Sequence, residues 1–143
     1  METDWANRYE QPLTLLFLDL DDFKVFNDSY GHIEGDKVLR RIPQVIKRCL
    51  RETDLAYRYG GEEFTVILPV TTTADGLVTA ERIRTEFKGE DFYPLPGRAV
   101  PVTVSIGLTQ YKIKEDIKTL VHRADQLMYQ GKKKGKDRVF CET

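Results

Sequence analysis

The apolar and polar positions alternate between two periods along this chain, and the changes of period mark its elements. Leu13–Leu20 is a nearly continuous apolar run that ends in acid, the pattern of a strand buried on both faces. Positions 21–30 then place Phe23, Phe26 and Tyr30 at helical spacing, with Gly31 as a stop. From Asp36 onward Val38, Leu39, Ile42, Val45, Ile46, Cys49 and Leu50 form an amphipathic stripe, which Pro43 is expected to interrupt and kink. Two strand-like runs, 55–59 and 64–68, flank Gly60-Gly61. A Gly-Gly pair is free to take the φ > 0 that a two-residue hairpin loop demands, so a hairpin is predicted there. Thr71 to Asp75 reads as a turn and helix cap, followed by a helix on Leu77, Ala80, Ile83 and Phe87. Positions 89–101 hold three of the 6 prolines and two glycines and predict a loop. A strand over 102–108 follows, then a helix on Ile117, Leu120, Val121, Ala124, Leu127 and Met128. Gly131 to Lys136 reads as a basic turn and 138–141 as a last short strand.

The order βααββαβαβ predicts an α+β fold, one mixed and largely antiparallel sheet with helices packed on its faces. Positions 1–12, polar apart from a lone Trp5, read as a short helix or loose lead-in, and 13–143 as a single domain without internal repeats. At 143 residues the chain is long enough to bury a proper core. Hydrophobic residues at 41% against charged residues at 31% give a globular balance. A net charge of −1 advertises no nucleic-acid partner. No apolar run is long enough for a membrane span, and no signal peptide opens the chain. Cys49 and Cys141 fit neither a disulfide framework nor a metal spacing, so a reduced cytoplasmic protein is expected. The cytoplasmic part of a longer, membrane-anchored protein, cut from its upstream sensory domain, fits the same sequence.

The chemistry concentrates at two places. Asp19-Leu20-Asp21-Asp22 closes the first strand, and a buried strand carries such carboxylates cheaply only beside a cation. Glu62-Glu63 follows the Gly-Gly turn; as adjacent like charges they imply either a nearby cation or full solvation at an exposed tip. If the first strand lies beside the hairpin, Asp19 and Glu62 come within reach of one ion, since neighbouring strands are about 4.8 Å apart. Oxygen ligands without His or Cys select Mg²⁺ or Mn²⁺. An EF-hand is excluded, because Phe23 stands at its fifth ligand position. Gly31-His32-Ile33-Glu34-Gly35-Asp36-Lys37 lacks the spacing of a phosphate loop. What remains is a palm-like nucleotide site with carboxylates at strand ends.

The ordered set Phe17-Leu18-Asp19-Leu20-Asp21-Asp22-Phe23-Lys24, Asn27-Asp28, Gly31-His32, Gly35-Asp36 and Gly60-Gly61-Glu62-Glu63-Phe64 resembles the GGDEF domain of diguanylate cyclases, in a GGEEF variant. Ala124-Asp125-Gln126-Leu127-Met128-Tyr129, then Lys132 and Gly135, fit the same family, so the resemblance runs from about Pro12 to Phe140. It implies a palm-like nucleotidyl cyclase fold and the condensation of two GTP into cyclic di-GMP. It implies that Asp19, the Leu20 carbonyl and Glu62 hold Mg²⁺ (or Mn²⁺), with Glu63 available for a second ion, two per site. Asn27 and Asp36 would read the guanine edge, Lys24 would stabilise phosphate charge, and Lys132 and Lys136 would reach the β- and γ-phosphates. Glu62, or a water that it orients, would be the base for the ribose 3′-hydroxyl. Duller roles exist for several of these: Asn27 as a turn cap, Lys24 as a solvated side chain, the lysine run as the end of a helix.

Arg51-Glu52-Thr53-Asp54 matches the family's Arg-x-x-Asp product-inhibition pattern, with Arg82 as a further contact. Three departures stand out. Lys136 replaces a usual arginine and lacks its bidentate fork. The upstream Asp-x-Leu-Thr and Asn-Arg signature is missing or truncated around Asn7-Arg8, and Pro43 within the second helix is unusual. The expected partners are GTP, cyclic di-GMP and a transient second copy of the domain, with neither nucleic acid nor membrane. Two other readings are a catalytically inactive receptor for GTP or cyclic di-GMP and a palm-type transferase acting on nucleic acid. The intact acids Asp19, Glu62 and Glu63 with Lys24 weigh against the first, and the slight negative charge against the second.

Overall fold

The computed structural model describes residues 11–142; Trp5 and Asn7-Arg8 lie outside them. The centre is β1 (Leu13–Leu20), whose apolar side chains are almost wholly buried on both faces. It pairs antiparallel with β3 (Glu63–Pro69) on one side and with β6 (Val104–Gln110) on the other. β2 (Leu55–Gly60) adds to β3 antiparallel, and β7 (Val139–Cys141) adds to β6 parallel. The sheet order is therefore β2-β3-β1-β6-β7, mixed and mostly antiparallel as expected.

The period of two in β1 divides the core. Leu16, Leu18 and Leu20 face the larger cluster, shared with α1 (Phe23–Tyr30), α2 (His32–Cys49) and α3 (Thr73–Lys88). Leu13, Leu15 and Phe17 face the smaller one under α4 (Ile117–Lys133), with Leu120, Ala124 and Met128. Gly107 of β6 lets α4 come close: a Cβ there would lie 2.0 Å from the Ala124 carbonyl oxygen and 2.4 Å from the Met128 nitrogen. No described helix is long and apolar enough to cross a membrane.

The structure departs from the sequence expectations in four places. The 89–101 loop contains a small hairpin, β4 (Phe92–Leu95) and β5 (Arg98–Val100), turned at Gly97 with φ 73°. The second helix starts at His32 rather than near Asp36, and Pro43 lies inside one continuous element. The basic turn begins later than predicted, because α4 runs on to Lys133 and carries Lys132 in its last turn. Neither Gly60 nor Gly61 takes a left-handed φ. Instead Gly60 pairs with Glu63 across the loop residues Gly61 and Glu62, and Tyr59 is bulged out of the ladder. A Cβ at Gly60 would come 3.1 Å from the Glu63 Oε1, a tight contact that the flexible end of the Glu63 side chain would have to relieve.

Candidate active site

The β1–β3 register carries the site. Asp19 stands opposite Glu63, and the Leu20 N–H meets the Glu62 carbonyl at 3.4 Å, so the end of β1 and the hairpin tip face each other. Arg58 holds that tip, its Nε and Nη2 donating to the Gly61 carbonyl at 3.0 and 2.6 Å. Asp19, on the α4 side of β1, lies close enough to the Glu62 carboxyl to feel its negative charge. Burial pushes the Asp19 carboxyl from 3.8 up to about 7; Lys132 opposes the rise, while Glu62 and Asp21 add to it. Burial likewise raises Glu63, helped by the negative charges of Asp19 and Asp125.

Among the described residues, no three His, Cys, Asp or Glu side chains already form a metal cage. The donor set nevertheless fits an oxygen-seeking divalent ion. The Asp19 Oδ1 is buried without a hydrogen-bond partner, and a second carboxylate adjoins it. The Leu20 carbonyl and Asp21 differ. Lys132 Nζ donates to the Leu20 oxygen at 2.8 Å and to Asp21 Oδ1 at 3.2 Å, and lies 3.7 Å from Asp19 Oδ2. Lys132 therefore sits at the acids themselves. Lys136 is paired with Asp22, an αL residue (φ 56°) that precedes α1 without a side-chain capping bond to it.

Beside the acids opens a cleft of about 400 Å³ lined by Phe23, Lys24, Asn27, Arg58, Gly61 and Glu62 among others. Lys24 and Asn27 come from α1 and Glu62 from the hairpin, so three candidate residues share one space. Asn27 Oδ1 is buried without a partner against Gly35, where a Cβ would stand only 1.8 Å away. Asp36 is exposed on the next position of α2 and is not part of the lining.

The Arg51–Asp54 pair is not the open binding fork that the sequence implies. Asp54, 3% exposed, accepts from Arg51 Nε at 3.2 Å, Arg51 Nη2 at 2.8 Å and the Arg51 backbone N–H at 2.8 Å. Arg51 Nη2 also reaches the Pro69 carbonyl and Thr71 Oγ1, tying the end of α2 to the end of β3. The helix end and turn bring the two residues together, so the fork closes on its own carboxylate. Arg51 remains 57% exposed, on the rim of a 690 Å³ groove between α2 and β2 that also carries Arg40, Lys47 and Arg58. Arg82 is exposed on α3, and its charge acts on the nearby Cys49.

Sequence reasoning missed two contributors. Arg58 stands two residues before the Gly-Gly pair, and nothing in the pattern says that its fork folds back on the tip. Asp21 stood in the sequence only as one of the acids that close the first strand, without a role of its own, whereas both its oxygens are occupied by protein donors.

A family model, "Diguanylate cyclase, GGDEF domain", matches residues 1–138. Diguanylate cyclase A of Treponema denticola is 42% identical over 131 residues, covering 91% of this chain and 35% of the relative. The response regulator PleD of Caulobacter vibrioides is 43% identical over 130 residues, covering 90% and 29%. This chain thus spans about a third of the curated relatives that it matches. Among solved structures, the GGDEF domain of DgcB from Caulobacter crescentus in complex with c-di-GMP superposes with a TM-score of 0.91 at 34% identity, over 96% of this chain and 82% of that one. The active GGEEF domain of a diguanylate cyclase from Vibrio cholerae does so with 0.90 at 29% identity, over 98% and 88%. With the fold, the strand-end acids and the hairpin in register, these matches establish that the chain belongs to the GGDEF domain family of diguanylate cyclases.

Proposed function

We propose that this domain is a diguanylate cyclase, joining two GTP into cyclic di-GMP with release of two pyrophosphates. The observation that carries the reading is the Asp19–Glu62 pair, in which Glu62 lines a nucleotide-sized cleft and Asp19 leaves one buried carboxylate oxygen unpartnered. Asp19 and Glu62, with Glu63 beside them and the Leu20 carbonyl once Lys132 turns away, would hold Mg²⁺ or Mn²⁺, two per site. Bound there, the ions supply charge neutralisation for the triphosphate and make the ribose 3′-hydroxyl more acidic.

The protein's own groups do the rest. Asn27, backed by Gly35, and Asp36 bind the guanine edge, and Lys24 reaches the phosphates from α1. Lys132 and Lys136 hold the β- and γ-phosphates. Glu62 accepts the 3′-hydroxyl proton as that oxygen attacks the α-phosphorus of the GTP on a second copy. The new P–O bond forms while the bond to pyrophosphate breaks, and the mirrored reaction closes the ring. A GTP substrate places the domain in the cytoplasm. Product feedback is part of the same proposal. Cyclic di-GMP would occupy the basic rim of the α2–β2 groove at Arg51, drawing its fork from Asp54, with Arg82 as a further contact.

Incubation with GTP and Mg²⁺, with the product identified by mass, tests the reaction. The Glu62→Gln variant should stay folded and lose at least about a hundredfold in rate, the typical share of a positioned base. Undiminished synthesis by that variant would remove Glu62 from the chemistry. Binding of GTP without turnover by the parent would make the domain a receptor.

A further inference from the structure

We propose that Asp21 is a positioning residue whose buried carboxylate fixes Lys132 directly and Lys136 through the 134–138 turn, and so sets the grip on the triphosphate. This rests on the reading that these two lysines contact the β- and γ-phosphates. Asp21 is 5% exposed, and each of its oxygens takes two donors. Oδ1 accepts from Ser105 Oγ at 2.7 Å and Lys132 Nζ at 3.2 Å. Oδ2 accepts from Thr103 Oγ1 at 2.8 Å and the Asp137 backbone N–H at 2.9 Å. Asp21 therefore has no lone pair left over for a metal, in contrast to its neighbour Asp19, whose Oδ1 is unpartnered. Asp19 and Asp21, two residues apart, both approach Lys132, yet they divide the labour: Asp19 keeps one oxygen unpartnered, whereas Asp21 spends both of its oxygens on protein donors.

The Asp137 contact extends the anchor. Its N–H is held by Asp21, while its carboxylate is gripped by Arg84 Nη1 at 2.8 Å and Lys88 Nζ at 2.7 Å, both from α3. The turn so pinned runs through three residues with φ > 0 in succession, Gly135 (135°), Lys136 (64°) and Asp137 (48°). Lys136 and Asp137 are not glycines, so the turn needs outside contacts to persist. Lys136 leaves it toward Asp22. A buried ion pair is a weak source of stability, since an apolar pair of like volume often does as well. What it provides here is placement, because a lysine on four flexible carbons has no preferred point of its own.

The test is the phosphate discrimination of the intact chain, measured by calorimetry with GTP and with GMP, using Ca²⁺ in place of Mg²⁺ to prevent turnover. The parent should bind GTP more tightly than GMP. In Asp21→Asn the ratio of the two dissociation constants should fall about tenfold, the scale of one charge-assisted contact, with GMP affinity unchanged. Lys132→Met should lower the ratio likewise, and adding Asp21→Asn to it should then have much less effect than in the parent. Thr103→Val, which removes a single donor from the carboxylate, should move the ratio in the same direction by two- to threefold, and it decides the matter if Asp21→Asn does not fold. An unchanged ratio, or equal losses for GTP and GMP, would reduce Asp21 to a structural role and overturn the proposal. A normal ratio in Lys132→Met, or a parent that does not distinguish GTP from GMP, would overturn the phosphate assignment of the lysines as well.

Discussion

At the residue scale, the site is made by small differences between neighbouring side chains of the same type. Asp19 and Asp21 are two positions apart, yet one keeps an unpartnered oxygen and the other has four donors. Gly35 shows the same economy on the nucleotide side. The space that its missing Cβ leaves is filled by the Asn27 amide, so a methyl group at 35 must push that amide away. If Asn27 reads guanine, Gly35→Ala should weaken GTP binding at least about tenfold while leaving weak ATP binding nearly unchanged, because sites that hydrogen-bond a substrate edge reject analogues strongly. Calorimetry with both nucleotides in Ca²⁺ checks this, and retained preference for GTP would remove Asn27 from the guanine site.

At the element scale, two contacts hold helices where the site needs them. Gly107 brings β6 against α4, whose last turn carries Lys132. The groups that a methyl at 107 would strike are backbone atoms, which cannot rotate aside as a side chain would. Gly107→Ala should therefore cost about 3 kcal/mol or more, the upper range for overpacking, seen as a lower melting temperature and weaker GTP binding together. On the other face, Glu90 after α3 accepts from Arg41 at 2.9 Å and Arg48 at 3.4 Å on α2. The Arg41 bond foremost, then Arg48, holds the Glu90 carboxyl below its ordinary 4.5. A depressed carboxylate contributes stability that is complete above its unfolded value and lost as pH falls through its folded value. Melting temperature should thus decline from about pH 5 downward, and Glu90→Gln should flatten that decline. An identical slope in the variant would show that the α2–α3 clamp contributes nothing to acid sensitivity.

At the scale of the whole molecule, one domain offers one strand-end acid pair, whereas the proposed product contains two equivalent phosphodiester bonds. Two copies must present their clefts to each other about a two-fold axis. Among the described residues the exposed large apolar side chains are scattered, with Val25 on α1, Ile33 on α2, Tyr57 and Tyr59 on β2, Val78 on α3 and Tyr129 on α4, rather than gathered in one patch. A brief encounter is therefore expected, and specific activity should rise with protein concentration in the low micromolar range. A specific activity that stays constant on dilution would mean either a stable dimer or a different reaction, and sedimentation separates the two.

The sequence alone determined the local elements and the identity of the acids. The continuous apolar run of β1, the helical stripe of α2 and the cap at Thr72 follow from periodicity and capping, which depend on near neighbours. Asp19 and Glu62 were legible because carboxylates at a strand end and a hairpin turn are conspicuous wherever they fold. Tertiary structure decided what each polar group does with its hydrogen bonds. That Arg51 closes on Asp54, that Arg58 bends back to Gly61 and that Lys132 extends from a helix to the Leu20 carbonyl are outcomes of packing. The last of these joins groups 112 residues apart along the chain, and only the packing of α4 across β1 and β6 sets that distance. Hydrophobic periodicity is a property of a segment, but a hydrogen-bond partner is chosen by every segment that arrives.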